Sequence, residues 1–92
     1  MDESSILAVT GLIGDAQAIS DGLLSGDLPE ARFRTSLIAG EARLLGLADV
    51  EASATHLGRL LGTMGQIPAA GYAEAVRDLS LALDQALTLA LL

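Results

Sequence analysis

Apolar residues recur along this chain at helical spacing, and three clusters of turn-forming residues interrupt them. Ser25-Gly26-Asp27, followed by Pro29, closes one periodic segment and opens the next. Asp27 suits an N-cap, and proline is favoured in the first turn of a helix. Gly46, directly after Leu44-Leu45, is a second stop, with Asp49 placed to cap the third segment. Gly65-Gln66-Ile67-Pro68 is the third break. The segments between them, 4–24, 28–45, 48–64 and 68–91, are each long enough for a bundle helix. Short connections join antiparallel neighbours. The pattern therefore predicts an all-α, antiparallel up-down-up-down four-helix bundle, with 1–92 as a single domain.

Three of the segments carry one apolar stripe each. In the third it is Val50, Ala54, Leu57, Leu61 and Met64; in the fourth, Tyr72, Val76, Leu79, Leu83 and Leu87. The first has Ile6, Val9, Leu12 or Ile13, Ala16 and Ile19, with Gly11 and Gly14 marking either close helix packing or a weak helix. The second segment differs. Wound at ~100° per residue, it shows two strips: Ala31, Ile38, Ala42 and Leu45, and separately Phe33, Leu37 and Leu44. Between them lies a wedge of Arg32, Ser36, Ala39, Gly40 and Arg43. Glycine inside a helix costs about 1 kcal/mol relative to alanine. At Gly40, bordering solvent one turn after Ser36, something must need the missing side chain or tolerate its absence.

Composition narrows the class. Ninety-two residues are near the small end of what supports a core without staples. A chain 51% hydrophobic but only 2% aromatic, rich in Leu and Ala, suits helices better than a β-sandwich. With no cysteine and one histidine, neither disulfides nor a structural metal site is expected. The net charge is −7 and all five basic residues are arginine, without a basic stripe. Nucleic-acid binding is therefore not expected, because phosphate contacts supply most of that affinity, and anionic membrane surfaces repel such a chain. The N-terminus, MDESSILAV, is acidic where a secretory signal is basic. No apolar run approaches the ~20 residues that span a bilayer, since Asp84 and Gln85 break the tail LSLALDQALTLALL. A cytoplasmic protein is the expectation. No Gly-rich phosphate loop and no Ser/His/Asp set with supporting context is present, so neither an enzyme nor a cofactor is expected.

The run SLIAGEARLLG, residues 36–46, with GDLPEAR before it, resembles the histidine phosphotransfer (HPt) domains of two-component relays. Their pattern is a phosphorylated His, any residue, Leu, Lys, Gly, any residue, Ala or Ser, and shortly afterwards Leu then Gly. Here Ile38 takes the leucine, Gly40 the glycine, Ala42 the small residue and Leu45-Gly46 the closing pair. LADVEASATHLGRLL resembles the next helix of that family, so the likeness runs over about residues 20–90. It implies a four-helix bundle whose glycine clears space for a partner's aspartyl-phosphate pocket. Two positions depart from the pattern: Ser36 stands where the accepting histidine belongs, and Ala39 where the lysine does. Serine would give a stable phosphate ester, and no base is in view to activate it. The resemblance thus implies a non-catalytic module that docks a receiver or sensor-kinase domain. Ser36, Ala39 and Gly40 would form the pseudo-acceptor site, and Arg32, Phe33, Leu37 and Arg43 the partner contacts. Arg32 and Arg43 are either a retained phosphate-facing patch or solvated partners of Glu30 and Glu41; Glu30 with Arg34 reads as a plain i, i+4 pair.

Two other readings stand beside this one. His56 is the sole histidine and has Arg59 three residues on, but Leu60 occupies the position of the glycine and only one helix comes after it. It falls at the edge of the third stripe, where a half-buried structural histidine is ordinary. Active phosphotransfer through His56 is one alternative; a structural homo-oligomer unrelated to signalling is the other. Leu81, Leu89 and Leu92 lie outside the fourth stripe, and Phe33, Leu37 and Leu44 form a surplus strip on the second. Apolar surface of this extent marks an interaction site. It predicts a two-fold homodimer with the second-helix strip as its seam.

Overall fold

A computed structural model describes residues 3–92, and among them the chain forms four helices and no strand. These are α1 (Glu3–Ser25), α2 (Leu28–Leu45), α3 (Ala48–Leu61) and α4 (Tyr72–Leu91). Met1 and Asp2, part of the acidic N-terminal reading, lie outside the described residues.

Local chemistry sets the ends of α2. The Asp27 carboxylate accepts a hydrogen bond from the Glu30 amide at 3.2 Å, and Pro29 sits in the first turn. At the other end Gly46 takes a left-handed conformation (φ 73°), and the Leu47 amide donates to the Ala42 carbonyl at 2.9 Å. That bond satisfies a carbonyl the helix itself leaves open. The next helix starts at once, with Leu47 rather than Asp49 as its N-cap and no side-chain cap bond. Asp49 comes too late to cap; it sits in the first turn, where a negative charge complements the helix dipole.

The third break is longer than its sequence suggests. Gly62 leaves α3 with φ 72° and ψ −161°, a combination essentially restricted to glycine, so the helix stops at Leu61. Met64, expected in the α3 stripe, therefore lies on the connection and is 91% exposed. The Ala69 amide donates to the Leu60 carbonyl at 2.7 Å, which ties the connection back to α3. Gly71 (φ 95°) then turns the chain into α4, which begins at Tyr72 instead of residue 68.

Each helix packs on two others, α1 with α2, α2 with α3, α3 with α4, and α4 with α1, closing a ring around one core. That core holds Leu12, Ile19, Ile38, Val50, Leu57, Leu61, Leu79 and Leu83, with alanines between them. The α1 stripe is as predicted, with Leu12 buried and Ile13 at its edge, and so is α3 up to Leu61. In α4 the buried positions are Ala75, Leu79, Leu83 and Ala90; Tyr72 is exposed, and Val76 and Leu87 are half-buried. Small alanines on the inner line allow close approach, and the larger neighbours fall on the flanks.

In α2 the buried strip is Ala31, Thr35, Ile38 and Ala42, while Leu45 is 40% exposed. Thr35 is tolerated inside because its hydroxyl donates to the Ala31 carbonyl one turn back, at 2.7 Å. Gly22 is the glycine of close packing: a Cβ there would lie 3.1 Å from the Asp27 carbonyl oxygen, where α1 meets α2. Gly11 and Gly14 are not, since a Cβ at either meets no atom of the described residues within 4 Å.

Candidate functional site

The winding of α2 presents only part of the expected site outward, because Ala39 packs against the core. With Ala31, Thr35, Ile38 and Ala42 against the core, Phe33, Gly40 and Leu44 fall on the opposite side of the helix. Phe33 is 58% and Leu44 88% exposed; Ser36, Gly40 and Arg43 are exposed; Leu37 and Ala39 are half-buried. Ser36 forms a ridge between two open depressions. One, of about 410 Å³, lies between α2 and α3 and is lined by Ala39, Thr55, Gly58, Arg59 and Thr63. The other, of about 350 Å³, is lined by Pro29, Arg32, Phe33 and Met64.

The two arginines flanking Ser36 differ. Arg32 turns towards the end of α3, where its Nε and Nη2 donate to the Leu61 carbonyl at 3.3 and 3.1 Å. Nη2 also donates to the Gln66 carbonyl at 2.8 Å. Arg32 thus clips the α3–α4 connection and places a cation at a helix C-terminus, where the dipole favours it. Gln66 is held in turn, since its Oε1 accepts from the Thr63 amide at 2.8 Å. Arg43 makes no hydrogen bond or ion pair among the described residues, and neither does Arg59 across the groove. Their charges are available to a ligand; that of Arg32 is engaged.

Glu30 and Arg34 form more than a local pair. Arg34 meets Glu30 at 2.6 Å and Asp15 of α1 at 2.7 Å, bridging two helices. The hydrogen bonds to Glu30 first, and then Asp15, push its already high pKa further up, so Arg34 stays charged.

His56 is exposed, not half-buried. The side of α3 that borders α2 carries Thr55, Gly58 and Gly62. One residue on from Thr55, and ~100° round the helix, His56 shares its side with Leu60, which meets Gly71 at the start of α4. The histidine therefore turns away from the Ser36 groove. Ser36 itself has no hydrogen-bond partner among the described residues that would serve it as a base.

A Cβ built on Gly40 meets no described atom within 4 Å. The fold gains nothing from the missing side chain, so Gly40→Ala should stabilise the isolated domain by up to ~1 kcal/mol, and Gly14→Ala similarly. Urea unfolding at low protein concentration measures both. Destabilisation by Gly40→Ala would show that the position is internally packed.

Among the described residues no group of His, Cys, Asp or Glu could hold a metal ion. No described helix is long and apolar enough to cross a membrane. The α3 contribution to the groove and Met64 beside Phe33 were not identified from sequence. The small residues Gly58 and Gly62, four apart and three and seven after Thr55, are the signal that could have marked the groove wall. No family model, curated protein or solved structure matches this chain.

Proposed function

We propose that this chain is a pseudo-HPt domain, an up-down-up-down bundle that docks a cytoplasmic receiver or sensor-kinase domain through α2 without accepting phosphate. The carrying observation is Gly40. It opens on solvent one turn from Ser36, in a helix that would be more stable with alanine there. A glycine at such a place, beside Ser36 on the exposed side of α2, fits a role towards another molecule. Phe33 and Met64 supply apolar contact on one side of Ser36, and Thr55, Arg59 and Thr63 a polar rim on the other, the division usual at protein interfaces. The absence of a base beside Ser36, with His56 facing away, favours docking over transfer.

Titration calorimetry against purified receiver and kinase domains of the host tests this. At least one should bind at micromolar Kd, with no phosphate transferred, and Gly40→Gln should weaken it at least tenfold without lowering the melting temperature. Binding by none of them would sink the reading. A companion variant checks the register. Ser36→His, at an exposed position, should stay within ~0.5 kcal/mol of wild type, as surface substitutions usually do. Ala39, expected to face solvent, is instead half-buried against the core, so Ala39→Lys should cost more. A much lower melting point in Ser36→His would show that this position does not lie on the open side of α2.

A further inference from the structure

We infer that the outward side of α2 is covered by a second copy of this chain, in a two-fold pair with the α2 helices antiparallel. The pattern on that side is self-complementary. Phe33, Leu37, Gly40 and Leu44 are spaced four, three and four residues apart, a sequence of steps that reads the same in both directions. Reversing a second α2 against the first sets Phe33 of each copy opposite Leu44 of the other. Leu37 of each then faces Gly40 of the other, and the space beside Gly40 that none of the described residues fills receives a leucine. Large residues opposite small ones are how helix faces interdigitate.

Charge agrees with this pairing. In a two-fold antiparallel pair like flanks meet, so Glu41 of each copy comes beside Arg34 of the other. Glu41 has no ion pair among the described residues, and Arg34 uses Nε and Nη1 within its own chain but leaves Nη2 without a hydrogen bond. On the opposite flank Arg43 comes beside Ser36 of the second copy. A net charge of −7 opposes association of identical chains, and α2 is where that opposition is least. It holds three of the five arginines, Arg32, Arg34 and Arg43, against Glu30 and Glu41. One helix face is smaller than the ~800 Å² per partner of a standard interface, so the pairing is expected to be weak and concentration-dependent. The pairing does not depend on the receiver-docking reading, although both use α2 and would compete.

Sedimentation of the full chain across the micromolar range should show a species of twice 9.4 kDa that dissociates on dilution. Leu37→Glu should sediment as a monomer with unchanged helical circular dichroism. Because the chain has no cysteine, single thiols report the register. Two copies of residue 40 would be offset by only ~4–5 Å along the pair, and two copies of residue 44 by ~16 Å. With helix axes about 8 Å apart and each Cα ~2.3 Å from its axis, the two Cα atoms at residue 40 would lie about 5.6 Å apart, so Gly40→Cys should form a disulfide-linked dimer under mild oxidation, within the roughly 4.4–6.8 Å that disulfides allow, and Leu44→Cys should not. A monomer at every concentration overturns the inference, as does a dimer that survives Leu37→Glu. Linking at residue 44 as readily as at 40 overturns the antiparallel register. A chain that binds no receiver yet cross-links as described would leave the self-pairing intact.

Discussion

Replacing Arg32 by alanine should destabilise the domain by about 1.5–3 kcal/mol, the range for hydrogen bonds that involve a charged group. The Leu61 carbonyl lies in the last turn of α3, where no intrahelical amide remains to meet it, and the Gln66 carbonyl lies on the irregular connection. One planar guanidinium reaches both. For a domain of this size each kcal/mol corresponds to roughly 4–8 °C in Tm, so thermal denaturation gives a large signal. Hydrogen exchange should localise it, with amides of residues 62–71 exchanging faster than in wild type. Arg32→Lys should recover only part of the loss, because an ammonium cannot reproduce the two-pronged geometry. A stability within ~0.5 kcal/mol of wild type would show that the clip contributes nothing. The same result bears on any docking assay: lost binding in Arg32→Ala reports a released connection, whereas Arg43→Ala tests a charge the fold leaves unused.

A larger effect is expected at Ile38, on the side of α2 that faces the core. The side chain is fully buried, and Ile38→Ala should cost about 2–5 kcal/mol through lost burial and the cavity left behind. Small domains have only ~5–15 kcal/mol in total, so this change takes a substantial share. Leu44→Ala, at a residue 88% exposed, should change the stability of the dilute monomer by less than ~0.5 kcal/mol. Urea unfolding of the two variants distinguishes the inner from the outer side of one helix. Comparable losses would mean that α2 is rotated from the orientation described.

Much of the architecture was legible because it is written in local chemistry. Asp27 and Pro29 start α2, and Gly46 ends it in a left-handed turn, each acting through residues within one helical turn. The stripes Val9–Leu12–Ala16–Ile19 and Val50–Ala54–Leu57–Leu61 are set by the 3.6-residue period alone. The outward placement of Ser36 and Gly40 came from the same winding, since the side opposite a buried strip faces out wherever the bundle lies.

What the tertiary structure alone decided involves residues far apart in the chain. Arg32 belongs to the α3–α4 connection through acceptors 29 and 34 residues away, and no pattern within α2 distinguishes that role from Arg43's open exposure. Arg34 reaches Asp15 across 19 residues, turning an i, i+4 pair into a bridge between helices. The early end of α3 depends on Gly62 combined with the return of Ala69 to Leu60, so Met64, which the helical period places in the stripe, lies on a connection. His56 and Thr55 are adjacent in sequence and both exposed, yet only Thr55 lines the groove with Ser36. Periodicity defines the angle between residues on one helix; the rotation of each helix against its neighbours comes from packing four of them together, and that rotation decides which flank meets which partner.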